Sequence, residues 1–155
     1  MSPAEEGTDG DSVPANERPF VRILREDGSD TGLGFHGVPG GHEFTSFILG
    51  IYNVAGPGQK IEQTYVERID KINKEINIKI IVSLSCTMCP ELVTSAQRIA
   101  SLNKQITTEV YDIQHFKQLK DQYQIMSVPC MVINDQKVVF GKKSIEQILE
   151  IIENV

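Results

Sequence analysis

Two cysteines separated by two residues, Cys86-Thr87-Met88-Cys89, are the side chains of this sequence best equipped to do chemistry. They follow the apolar run Ile76-Asn77-Ile78-Lys79-Ile80-Ile81-Val82 and open a helical pattern that continues to about Asn103. A strand-to-helix turn of this kind brings both sulfurs within bonding reach. It also sets the first sulfur at a helix N-terminus, where unpaired N–H groups and the macrodipole favour a thiolate. Thiol–disulfide exchange needs an exposed attacking thiolate and a second sulfur that resolves the mixed disulfide. Cys86, ahead of the helix, suits attack, and Cys89, deeper in the turn, suits resolution. Pro90 falls in the first helical turn, where its missing N–H costs little. Zinc is the competing use of such a pair. A closed zinc site needs four ligands, and the sequence offers neither a second CxxC nor a spaced pair of histidines.

The elements that must position this pair can be read from apolar spacing. Phe20 to Leu24 reads as a strand, residues 26–30 as a turn, and Gly32 to Val38 as a second strand weakened by glycine. From Gly41 to Ala55 the positions Phe44, Phe47, Ile48, Ile51, Tyr52 and Val54 have helical spacing, and Gly56-Pro57-Gly58 ends that helix. A helix over residues 59–74 is expected to bury Ile61, Tyr65, Ile69 and Ile72. A strand (76–83), the dithiol helix (86–102), a strand (106–113) and a short helix (116–123) follow. Residues 131–133 and 138–140 form a hairpin turned at Asn134-Asp135-Gln136. Ser144 and Gln147 carry a capping-box signature for a last helix.

From residue 76 onward this order, βαβαββα, resembles the thioredoxin-like fold of the α/β class. The preceding ββα looks like the second half of a degenerate repeat, too short to hold a sheet alone, so it must pack against the complete module or a second chain. The expected organisation is an acidic tail or linker over 1–18, a partial repeat over 19–57, and the complete module over 58–155. Three consequences follow from the resemblance. Val128-Pro129 should carry a cis peptide that turns residue 128 toward the dithiol, so that Val128 and Pro129, with Thr87 and Met88, would contact an extended substrate. The acid that thioredoxins usually carry on the strand before the dithiol is replaced by Ile80. Glu43 is a substitute candidate, against the plainer reading of a solvated first-turn carboxylate.

Charge and composition narrow the class. Glu5, Glu6, Asp9, Asp11 and Glu17 against Arg18 carry most of the formal charge of −6, leaving no basic patch to suggest nucleic acid. No apolar run approaches the ~20 residues of a membrane helix, and residues 1–17 lack the apolar core of a secretory signal. Three cysteines without such a signal point to a cytoplasmic protein. Gly32-Leu33-Gly34-Phe35-His36-Gly37 fits GxGxxG, but a turn precedes it and no βαβ unit surrounds it, so it reads as strand and turn. His36 and His115 are expected at the surface or in caps. Cys130 is expected to be a small buried hydrophobe on a strand, a regulatory thiol being the alternative.

Taken together, Gly37-Val38-Pro39-Gly40-Gly41-His42-Glu43-Phe44-Thr45-Ser46-Phe47 and Ser83-Leu84-Ser85-Cys86-Thr87-Met88-Cys89-Pro90 resemble the N-terminal domain of the flavoprotein subunit of alkyl hydroperoxide reductase. In that family, tandem thioredoxin-like folds pass electrons from a flavin/NADH-linked domain to a peroxiredoxin. The resemblance implies that Cys86 attacks the acceptor disulfide, Cys89 resolves it, and Glu43 is an acid that adjusts the dithiol's proton affinity. It implies a flavoprotein disulfide reductase as donor and a peroxiredoxin or other protein disulfide as acceptor. FAD and NAD(P)H are expected only on a partner or fused domain, none on this chain beyond its redox-active disulfide, and a homodimer is among the expected assemblies. The rivals are a general thioredoxin/glutaredoxin-type reductase and a noncatalytic docking module. Missing tryptophan, and Thr87-Met88 in place of Gly-Pro or Pro-Tyr, argue against the first.

Overall fold

The computed structural model describes residues 19–155; the expected acidic tail, residues 1–18, lies outside the described residues. One six-stranded mixed sheet runs through all of it, in the order β1-β2-β4-β3-β5-β6. The strands are β1 (Phe20–Leu24), β2 (Asp30–His36), β3 (Ile76–Val82), β4 (Ile106–Asp112), β5 (Cys130–Ile133) and β6 (Lys137–Phe140). β2, β4 and β3 are mutually parallel, whereas β1 on β2, β5 on β3 and β6 on β5 are antiparallel. The ββα segment therefore joins the module's own sheet through β2 and β4.

The helices are α1 (Phe44–Ala55), α2 (Gln63–Asp70), α3 (Cys89–Ser101), α4 (Gln118–Gln122) and α5 (Ile145–Glu153). On one face of the sheet Leu33, Phe35, Ile78, Ile80 and Val110 meet Leu92, Val93, Ala96 and Ile99 of α3 and Ile148, Leu149 and Ile152 of α5. On the other, Ile81, Tyr111, Cys130 and Val132 are covered by Phe116, Leu119 and Ile125. The period-two side-chain alternation of β3 explains how Ile80 and Ile81 serve opposite layers. Asn134 and Asp135 both take positive φ (52° and 59°) in the three-residue loop between the paired Ile133 and Lys137, where the Gln136 N–H donates to Ile133 O at 3.1 Å. Ser144 forms the capping box with Gln147 that its spacing predicts.

Four expectations need correction. α2 covers eight residues rather than the span 59–74; Ile69 and Ile72 are buried, but Ile61 and Tyr65 only border the core. The dithiol helix starts at Cys89, three residues later than its apolar pattern suggests. His36 is not at the surface: it is buried, stacked on Tyr111 at 4.0 Å, and its Nε2 lies 2.8 Å from Glu109 Oε1. The largest change is in α1. It buries Ser46, Gly50 and Asn53, and turns Phe44, Ile48, Ile51 and Tyr52 outward.

Candidate functional site

Strand polarity brings three loops to one end of the sheet. β2 and β3 are parallel and β5 antiparallel to β3, so the segments leaving β2 and β3 and the one entering β5 converge there. Cys86 sits in the turn after β3, half-buried, with its backbone N–H donating to Ser83 O at 2.9 Å. Cys89 is the first residue of α3 and is fully buried; Pro90 occupies its first turn. Both thiols are free, and the two side chains share a hydrogen bond. Burial pushes the Cys89 thiol well above its ordinary range. The contact with Cys86 and the nearby charges of Cys86 and Glu43 add to that rise, and a backbone hydrogen bond from Ser83 opposes it. One sulfur is thus accessible and its neighbour is held protonated beneath it.

Glu43 closes a short 3-10 turn, Gly41–Glu43, immediately ahead of α1. It is not a solvated first-turn carboxylate, because no part of it is exposed. Gly41 explains how it gets there. Its φ is +52°, and a Cβ at that position would stand 2.5 Å from the carbonyl oxygen of Leu84. Only glycine allows the turn to press against the loop leading to Cys86. His42 N–H then donates to Leu84 O at 2.9 Å, fastening the two segments. Desolvation raises the Glu43 carboxyl to about 7, partly offset by the Ser46 hydroxyl one turn on. Neither carboxyl oxygen of Glu43 nor the Ser46 hydroxyl makes a well-formed hydrogen bond. A carboxyl in that state can take or give a proton near neutral pH, and its charge is felt at Cys89.

The remaining expected residues divide. Thr87 and Met88 are exposed beside the dithiol. The Val128–Pro129 bond is cis; Pro129 is buried and Val128 half-buried, packed against the apolar core that Cys86 also touches. Cys130 is buried on β5, and burial alone pushes its thiol up to about 11. Gly32 and Gly34 lie inside β2, so the GxGxxG segment is strand and offers no phosphate-cradling turn. Among the described residues no cluster of His, Cys, Asp or Glu could hold a metal ion, and no helix is long and apolar enough to cross a membrane. Sequence reasoning missed Gly41, Leu84 and Ser46, which fix Glu43. It also missed Val38 and Met126, exposed apolar side chains on the loops that flank the dithiol. A glycine pair next to an acid was the available signal for the first; a methionine two residues ahead of Val-Pro was the signal for the last.

The model of the thioredoxin domain matches residues 76–153. The crystal structure of the NTD_N/C domain of the alkyl hydroperoxide reductase AhpF of Enterococcus faecalis superposes with a TM-score of 0.85 at 39% identity, covering 96% of this chain and 70% of that one. This chain belongs to that family. Among curated relatives of this thioredoxin-domain protein, a protein named NADH dehydrogenase from Bacillus subtilis is 34% identical over 134 residues, 86% of this chain and 26% of its own length. The AhpF protein of Pseudomonas aeruginosa alkyl hydroperoxide reductase is 35% identical over 126 residues, 81% of this chain and 24% of its own. The chain spans about a quarter of the length of these curated relatives.

Proposed function

We infer that this domain is a dithiol/disulfide exchange module, a protein disulfide oxidoreductase that relays electrons from a flavoprotein disulfide reductase to a peroxiredoxin-type disulfide. The observation that carries this reading is the pairing of an accessible Cys86 with a buried, protonated Cys89 beside a buried carboxyl that titrates near neutrality. Cys86, as thiolate, attacks one sulfur of the acceptor disulfide, forming a mixed disulfide and releasing the other acceptor sulfur as a thiolate that takes up a proton. Glu43 accepts the proton of Cys89, whose sulfur then attacks Cys86. The acceptor leaves with its second thiol, reduced by two electrons, and Cys86 and Cys89 remain joined as a disulfide. A dithiol of the flavoprotein returns the two electrons by the reverse exchange. Val128 and Pro129 support the acceptor's extended chain, and Thr87 and Met88 meet its flanks.

Supporting the choice of donor and acceptor are the names of the relatives, one a component of alkyl hydroperoxide reductase and one an NADH dehydrogenase. The flavin and nicotinamide are assigned to a partner or fused domain, a reading supported by the names of the longer relatives. We place the module in the cytoplasm. The test mixes the pure protein with candidate flavoprotein reductases and peroxiredoxins and follows NADH or NADPH oxidation after peroxide addition. Turnover should require the chain, vanish with Cys86→Ser, and give way to a trapped mixed disulfide with Cys89→Ser. Unchanged turnover with Cys86→Ser, or trapping through Cys130, overturns the assignment.

A further inference from the structure

Arg98, in the last turn of α3, is a buried cation without a counter-charge. Only 7% of it is exposed. The ion pairs among the described residues engage Arg22, His36, Arg68, Lys79 and Lys142, and Arg98 takes part in none of them. Its guanidinium donates one long hydrogen bond, from Nη1 to Ser101 Oγ at 3.5 Å. Nε is sealed from solvent and has no acceptor, whereas Nη2, which also bonds to no described residue, is not sealed. Desolvation pulls the Arg98 pKa below the ordinary arginine value, opposed only by the nearby Tyr52 phenol. A phenol offers a dipole at neutral pH rather than a negative charge.

The chain around this guanidinium supplies further donors and no acid. Asn53 Nδ2 donates to Gln59 Oε1 at 2.8 Å, and the Gln59 N–H donates to Asn53 Oδ1 at 2.7 Å, which pins the loop between α1 and α2. The loop holds Gly58 against Arg98. Its φ is +82°, and a Cβ at that position would stand 2.3 Å from Nη1, so only glycine fits. Gly58 is buried, and its N–H has no acceptor among the described residues. Tyr52 borders the same loop, its ring 3.3 Å from where a Cβ of Gly56 would be.

The plainer role for Arg98 is a cation answering the carbonyl end of α3. The dipole there is equivalent to only about half a charge. That does not offset burial of a full charge, which is tolerated when the charge is paired and hydrogen-bonded. A guanidinium fork fits an oxyanion in particular, because its N–H groups match two oxygens at once.

We propose that Arg98, the Gly58 N–H and the Tyr52 hydroxyl form a binding site for one oxyanion group, a carboxylate or a phosphate. The anion meets the unsealed Nη2 and ties α1 to α3 through the loop between α1 and α2. This site is separate from the dithiol: Arg98 lies nine residues beyond Cys89 on α3, about 14 Å along the helix axis.

The test is an amide chemical-shift titration of the reduced, isotope-labelled full chain at about pH 7.5. Sodium phosphate is added in one arm and sodium acetate in the other, with ionic strength held constant by chloride so that screening does not change. At least one anion should shift Gly58 and Gln59 saturably, and the arm that does so tells phosphate from carboxylate. Arg98→Gln should weaken that binding roughly tenfold or more, as expected for loss of a charge-assisted pair. The rate of Cys86 alkylation should stay as in wild type. Gly58→Ala keeps the arginine but drives a methyl into its fork, and should weaken binding likewise. No saturable shift in either arm overturns the proposal, as does binding that a folded Arg98→Gln leaves intact. If Arg98→Gln does not fold, undiminished binding by Gly58→Ala overturns it instead.

Discussion

Replacing Glu43 by glutamine should make the protein more stable at pH 8 and leave it nearly unchanged at pH 4.5. The carboxyl ordinarily titrates at 4.5 and here, desolvated with no well-formed hydrogen bond, at about 7. Because the folded value is raised, the penalty is absent below about pH 4.5, where Glu43 is protonated in both folded and unfolded chains. It grows as pH rises and is complete above about pH 7, where folding must bury a charge. The gap between the two values corresponds to about 3 kcal/mol. Glutamine keeps the shape and removes the charge, so any fixed cost of its own amide is independent of pH. Urea unfolding of both proteins in the reduced state, from pH 4.5 to 9, should show the Gln variant gaining about 3 kcal/mol relative to wild type across that window. A pH-independent difference, or a wild type that gains on the variant as pH rises, would refute the burial argument and with it the proton acceptor assigned to Cys89.

Three further outcomes are expected. Iodoacetamide at pH 7.5 should alkylate Cys86 before Cys89 or Cys130, because the latter two are buried and their thiols are pushed up; peptide mapping that finds Cys130 labelled equally fast would contradict this. Gly41→Ala places a methyl against Leu84 O at a left-handed φ and should cost about 1–3 kcal/mol in urea unfolding. It should also shrink the pH-dependent effect of Glu43, since the turn that buries the carboxyl is pushed away. Ser144→Ala removes one bond of the capping box and should lower stability by about 1 kcal/mol, measured the same way, without altering alkylation of Cys86.

Much of this structure was legible from residue spacing because local chemistry and tertiary packing agree. The Ile76–Val82 run, the Asn134-Asp135 turn and the Ser144 cap each have one good local solution, and the fold uses it. His36 shows where such reading stops. A lone histidine on a glycine-rich strand gives no local sign of burial; its partners Tyr111, Phe116 and Glu109 arrive more than 70 residues later, when β4 docks beside β2. The dithiol itself was legible as a spacing, while the start of its helix was not. Apolar periodicity reports which face is buried and is silent on where the backbone turns into α3.

The rotation of α1 is a different kind of departure, and it ties the site to the rest of the molecule. Helical periodicity alone would turn Phe44, Ile48, Ile51 and Tyr52 inward. Gly41 is wedged against Leu84, however, and that contact aims Glu43 at Cys89. Once residue 43 points inward, the positions three, seven and ten residues on must follow it. Those positions are Ser46, Gly50 and Asn53. Each suits the role: Ser46 eases the Glu43 charge, Gly50 admits the Gln97 side chain at close range, and Asn53 exchanges hydrogen bonds with Gln59 to hold the loop after the helix. The apolar residues are left on the outside as a consequence. Placing a carboxyl beneath the dithiol and exposing an apolar stripe are therefore two results of one helix orientation.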